Sequence, residues 1–160
     1  MSFYTGETGP RRYIALRHIR VQDPIAMTTP DATFRILYVS QLAPGSELGT
    51  VSDIVATSRT NNPLRGITGA LVFDGEYFGQ LLEGDEAEVS ALMQRIATDP
   101  RHVRVVLLLS GVTAVRPRMR VWRSGYCDPQ RLGALMTEPA LRGPAALEAF
   151  MSILAGADLE

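Results

Sequence analysis

Cysteine is almost missing from this chain, with Cys127 the only one in 160 residues. A single thiol excludes an intramolecular disulfide and a thiolate metal cluster, and it suits a reducing cytoplasm. Histidine is scarce as well, limited to His18 and His102, so no metal site is expected. Net charge is nearly absent at -1, which removes the general attraction for nucleic acid that a basic domain would have. Arg116, Arg118, Arg120 and Arg123 form a local basic cluster, but on a strand the four do not share one face. No apolar run approaches the roughly 18 residues needed to span a bilayer. The N-terminus also lacks the apolar core of a secretory signal. The expectation is a soluble cytoplasmic protein with neither a membrane nor a nucleic acid as partner.

What is present is the composition of one globular domain with appendages: 46% hydrophobic and 21% charged residues. Residues 1–32 are broken up by Gly6, Gly9, Pro10, Pro24 and Pro30 and read as a mobile arm, within which Met27 is a candidate translation start. The domain is expected over 33–126, followed by a helical cap over 127–160. Phe34–Ser40 reads as a strand with Ile36, Tyr38 and Ser40 on one face and Leu37 and Val39 on the other. Val51, Ile54, Val55, Ser58 and Asn62 recur at helical steps, and Asn-Asn-Pro is expected to end that helix at Asn62.

Ile67–Phe73 and Glu76–Glu83 flank Asp74-Gly75, a hairpin signal that makes them antiparallel neighbours. Asp85 with Glu88 resembles a capping box, Val89, Leu92, Met93 and Ile96 give a buried stripe, and Asp99-Pro100 stops the helix. Val103–Ser110 is apolar nearly throughout and reads as a central strand covered on both faces. The order predicts an α+β, ferredoxin-like (split βαβ) sheet with two helices on one face. Two short C-terminal helices follow, over about Pro129–Thr137 and Pro144–Ala155. The stripe Leu147, Phe150, Met151 and Leu154 on the second either covers the free face of the sheet or recruits a partner.

Two polar residues stand out inside apolar strands. Tyr38 is expected to be buried with a hydroxyl in need of a partner. Gln80 shares a face with Phe78 and Leu82, and its amide must be supplied with hydrogen bonds, one of which Tyr38 is placed to give. Asn61 and Asn62 offer amides that both donate and accept, suited either to capping a helix or to holding a ligand. Gly66 and Gly69 permit a backbone that side chains forbid, and Gly-x-x-Gly by itself is weak evidence for a nucleotide.

In order along the chain, Tyr38-Val-Ser40, Ser58-Arg-Thr-Asn-Asn62, Gly66-Ile-Thr-Gly69, Phe78-Gly-Gln-Leu-Leu-Glu-Gly84, Asp99-Pro-Arg-His102 and Trp122 together resemble the BLUF family, small domains that sense blue light using FAD. The resemblance covers about Thr33 to Tyr126. It implies a non-enzymatic photoreceptor with FAD bound non-covalently, signalling through a downstream protein partner or a change of oligomeric state. By resemblance Asn62 holds the carbonyl and N3 edge of the flavin, and Gln80 bridges that edge to Tyr38, the electron and proton donor of a light-driven hydrogen-bond switch.

Ile54, Leu71 and Phe78 are candidates for the apolar slot around the ring, each equally well explained as core. Ser58 faces the same slot, Asn61 is a further candidate for holding the cofactor, and Thr68 backs the site. Arg101 and His102 match the segment near the ribityl and phosphate groups, although His102 also reads as a helix-end histidine. Arg59 and Arg65 are further candidates for a diphosphate. Trp122 belongs to the switch, but the methionine that the family carries two residues later is Ser124 here. The competing reading is a BLUF-like assembly module, with or without flavin, that lacks photochemistry. A small ferredoxin-like phosphatase is disfavoured because no arginine sits in a Gly-rich phosphate loop.

Overall fold

The computed structural model describes residues 32–114 and 117–160. The arm expected over 1–32 and the alternative start at Met27 lie outside the described residues, except for residue 32. In order, the elements are β1 (Thr33–Leu42), α1 (Thr50–Leu64), β2 (Thr68–Phe73), β3 (Tyr77–Gly84), α2 (Glu86–Thr98), β4 (His102–Thr113), β5 (Trp122–Tyr126), α3 (Gly133–Thr137), α4 (Pro144–Ala155) and β6 (Asp158–Leu159).

They form one six-stranded sheet in the order β4-β1-β3-β2-β5-β6. β3 runs antiparallel between β1 and β2, which is the split βαβ arrangement, and β5 extends the sheet parallel to β2. The two faces follow the period-2 alternation of the strands. Ile36, Tyr38, Leu71, Phe78, Leu82 and Trp122 pack under α1 and α2. Leu37, Val39, Ala70, Val72 and Leu81 pack against Leu132, Leu147, Phe150 and Leu154 of the C-terminal segment. The apolar stripe of α4 therefore covers the second face of the sheet. Gly79 makes this close fit possible, since a Cβ there would stand 2.8 Å from both Leu132 and Phe150.

Three local expectations are corrected. The first helix runs through Pro63 to Leu64 and does not stop at Asn62; placed in the last turn, Pro63 forfeits a single intrahelical hydrogen bond. It closes in a Schellman motif, with Gly66 at φ 67, Gly66 N–H donating to Pro63 O and Ile67 N–H to Asn62 O. Among the described residues β4 is an edge strand, not a central one, because β5 joins the sheet beside β2. Irregular register against β1 and a positive φ at Arg104 break its free edge, a common protection against stray pairing. The first C-terminal helix is only Gly133–Thr137.

The hairpin and cap signals hold with a difference in detail. Asp74 Oδ1 accepts from the Glu76 and Tyr77 amides and so tightens the β2–β3 turn, while its Oδ2 accepts from Leu132 N. Asp85 caps α2 through the Ala87 and Glu88 amides, but the Glu88 side chain turns to Arg65 and does not complete a box.

Candidate functional site

Tyr38 and Gln80 lie directly opposite one another in the β1–β3 register, so their side chains share a face by construction. The Tyr38 hydroxyl donates to Gln80 Oε1. Tyr38 has no exposed surface, and burial first, with the charge of Asp99 second, pushes its phenol well above the ordinary range. It therefore keeps its proton at neutral pH.

In front of this pair is a cavity of about 320 Å³ enclosed by α1, α2 and the sheet. Helix α1 contributes Ile54, Thr57, Ser58, Asn61 and Asn62, and α2 contributes Leu92, Arg95 and Ile96. Leu71 and Gln80 form the floor, and Arg65, Asp99, Arg101 and His102 complete the wall. Asn62 is buried, and among the described residues its Nδ2 has no hydrogen-bond partner. A buried amide donor left unpaired costs about 1–3 kcal/mol, so its presence at a cavity wall points to a ligand acceptor. Gln80 spends its oxygen on Tyr38, and among the described residues no bond engages its Nε2. Ser58 returns its hydroxyl proton to Val55 O at 2.7 Å and has only acceptor capacity to offer.

Of the residues singled out in the sequence, the structure brings Ile54, Ser58, Asn61, Asn62, Leu71, Gln80, Arg101 and His102 to the cavity wall. Tyr38 stands behind Gln80. Phe78 lies under Phe73 and His102, with ring centroids 4.7 and 4.8 Å away, and supports the site from beneath. Thr68 is at the far end of β2 opposite Glu83, and Trp122 is in the same apolar cluster but not on the wall. Arg59 does not approach the cavity: it reaches Ser124 and Glu160. Thr57, Leu92, Arg95, Ile96 and Asp99 were not anticipated. The signal was present for Leu92 and Ile96 in the stripe of α2, which a sequence reading assigns wholly to the core.

Arg101 is engaged by Asp99, its Nη2 2.6 Å from Oδ2. Burial alone would raise the Asp99 carboxyl, but the hydrogen bonds and charge of Arg101 bring it below the usual range. His102 Nδ1 lies 2.9 Å from Ser40 Oγ. Burial pushes the His102 imidazole down to about 4, with Asp99 opposing and Arg101 adding to the shift. The ring is neutral at pH 7. Because the folded value lies below the ordinary 6.5, the unfolded chain binds the extra proton first, and stability must fall as pH drops from about 6.5 to about 4. The expected loss between pH 7 and pH 5 is on the order of 2 kcal/mol, read as a fall in the urea midpoint. His102→Gln should flatten that segment; an unchanged slope would mean that other groups carry it.

The cavity thus offers apolar walls for a flat ring, unspent amide donors for its polar edge, and a tyrosine one hydrogen bond behind. Such a site on a ferredoxin-like sheet suits a flat aromatic ligand with polar groups along one edge. Comparison with known proteins agrees. The family described as "BLUF: Sensors of blue-light using FAD" matches residues 33–123. The chain belongs to the BLUF family, whose domains are sensors of blue light. It is 32% identical over 81 residues to the blue light- and temperature-regulated antirepressor BluF of Escherichia coli (strain K12), covering 51% of this chain and 20% of that one.

Two solved structures are similar as well. The photo-activated state of BlsA superposes with a TM-score of 0.63 at 27% identity, covering 80% of this chain and 98% of that one. Klebsiella pneumoniae BlrP1 with FMN and cyclic diGMP gives 0.54 at 29% identity, covering 78% and 30%. The chain therefore spans about a fifth of the antirepressor and nearly the whole of BlsA. Among the described residues no helix is long and apolar enough to cross a membrane.

Proposed function

We propose that this chain is a cytoplasmic blue-light photoreceptor that holds FAD non-covalently in the cavity and signals through a downstream protein partner or a change of oligomeric state. It is not itself an enzyme in this reading. The observation that carries it is the Tyr38–Gln80 hydrogen bond at the floor of a cavity whose Asn62 donor has no partner among the described residues. Asn62 and Gln80 Nε2 would hold the polar edge of the ring, with Ile54, Leu71, Leu92 and Ile96 against its faces. Arg95, on the same wall, has no ion pair among the described residues and is the first guanidinium donor for phosphate; Arg65 could join it, held only by an exposed 3.5 Å pair with Glu88, whereas Asp99 already occupies Arg101.

When bound, the flavin supplies blue absorption and, once excited, an acceptor for an electron. The chain supplies the rest. Tyr38 is a phenol that retains its proton and lies along a hydrogen bond to Gln80, so loss of an electron from the ring acidifies a proton with a ready acceptor. The Gln80 amide presents different groups to Tyr38 and to the cavity, and turning it or shifting its tautomer exchanges donor for acceptor on both sides at once. Two hydrogen-bond arrangements of one site follow, with a population that light shifts. FAD is preferred over FMN on the family description, although the BlrP1 structure contains FMN.

Purified protein should show a flavin spectrum that moves slightly to the red under blue light and returns in darkness, and mass spectrometry of the released cofactor should give FAD. A flavin spectrum that ignores light would support the assembly-module reading. A protein that neither carries nor takes up flavin would sink both the receptor and the assignment of the cavity.

A further inference from the structure

Ser124 is fully buried, and three separate attachments converge on it. Its backbone exchanges both hydrogen bonds with Glu160, each at 3.1 Å, extending the β5–β6 ladder by one pair. Its hydroxyl accepts from Arg59 Nε at 3.3 Å. Arg59 then reaches on to Glu160, with Nη1 3.0 Å from Oε2. Beside this junction, Gly125 lets β6 close on β5, since a Cβ there would stand 1.9 Å from Asp158 O.

The placement matters because of what each partner belongs to. Arg59 adjoins Ser58 on α1, the helix that supplies five residues to the cavity wall. Ser124 is paired with Leu71, which is on the cavity floor. Glu160 follows β6, which continues from α4 of the cap on the opposite face of the sheet. We infer that Arg59, Ser124 and Glu160 form a junction that couples occupancy of the cavity to the closure of β6 on β5. A ligand that fixes Asn61 and Asn62 fixes the last turns of α1, and with them the base from which Arg59 holds both β5 and Glu160.

The attachment is weak enough to be switched. β6 is two residues long, and both Arg59 and Glu160 are substantially exposed, so their pair is screened by salt. The second half of this inference rests on the flavin reading above; the first half, that Arg59 holds the strand, does not.

Amide hydrogen exchange at Ser124 and Glu160, followed by NMR, tests both. Without added flavin, Arg59→Gln and Glu160→Gln should each speed exchange at these two amides about threefold to tenfold. The double variant should add little, and 0.5 M salt should reproduce most of the effect in the unsubstituted protein. Arg59→Lys should recover only part, because an ammonium cannot fork to Ser124 and Glu160 together. Loading with flavin should slow both amides in the unsubstituted protein and fail to do so in Arg59→Gln, although that variant binds flavin. Exchange indifferent to Arg59 would overturn the junction itself. Exchange sensitive to Arg59 but identical with and without bound flavin would overturn the coupling. A chain that takes up no flavin would instead refute the proposed function and leave the Arg59 result standing.

Discussion

Tyr38→Phe should bind flavin and lose the light-induced red shift altogether. The substitution removes one oxygen from a ring that is wholly buried in the apolar cluster under α1 and α2, so the packing of β1 on β3 is kept. What disappears is the group that can give up both an electron and a proton along a hydrogen bond, because phenylalanine is far harder to oxidise and has nothing to donate. Gln80 Oε1 loses its donor, which costs about 1–3 kcal/mol if nothing replaces it. The variant is therefore expected to be somewhat less stable but folded. Gln80→Leu should abolish the response for a different reason, since Tyr38 remains but no amide relays its state to the cavity. It should also weaken flavin binding, because Gln80 lines the wall and Tyr38 does not. Absorption difference spectra before and after illumination decide the matter. A full red shift in flavin-loaded Tyr38→Phe would remove the tyrosine from the mechanism.

The elements that place this pair were legible because each is dictated locally. The alternation of β1 puts Tyr38 on the face of Ile36, the Asp74-Gly75 turn fixes how β3 returns, and Asp85 and Asp99 mark the ends of α2. Alternation also put Gln80 on the correct side, and only the register had to make it meet Tyr38. Most of the misreadings share one cause, which is that the deciding partner is distant in the chain. An apolar run such as Val103–Ser110 suits a central strand equally well, and it becomes an edge only because β5 pairs with β2. A proline is read as a stop, yet Pro63 is accommodated one turn from a helix end that Gly66 sets. Leu92 and Ile96 look like core until the space they face is seen to be a cavity. Arg59 looks like a phosphate ligand from its neighbours Ser58 and Asn62, but the side chain next to a wall residue points past the wall, and nothing local says that Ser124 and Glu160 wait there.

Glu83 is the strongest case of such hidden long-range chemistry, and its removal should be the most damaging single change to the fold. It lies three residues after Gln80 on β3, has no exposed surface, and its Oε1 is 2.6 Å from Arg35 Nε. The same oxygen accepts from Arg118 N at 2.9 Å, and Oε2 accepts from Met119 N at 2.9 Å. One buried side chain thus neutralises Arg35 and ties down the segment that leads into Trp122 and β5. Among the described residues the buried Nη2 of Arg35 has no partner, so little else there is at hand to receive its charge. Glu83→Ala would strand that guanidinium and orphan two amides, and breaking a buried pair by removing one partner costs about 3–5 kcal/mol. Set against a typical total of roughly 5–15 kcal/mol, this is enough to leave the domain marginal or unfolded. Glu83→Gln keeps one of the two acceptor oxygens at nearly the same shape, with its NH2 facing a donor, and should cost less than Glu83→Ala. Arg35→Met combined with Glu83→Leu should recover part of the loss, because the uncompensated charge goes with its partner, but not all of it, because the Arg118 and Met119 amides still lack an acceptor. Urea unfolding of the four proteins orders them as unsubstituted, then Glu83→Gln, then the double variant, then Glu83→Ala. If Glu83→Ala fell within about 0.5 kcal/mol of the unsubstituted protein, as an ordinary surface change does, the buried pair could not be what holds β1, β3 and the approach to β5 together.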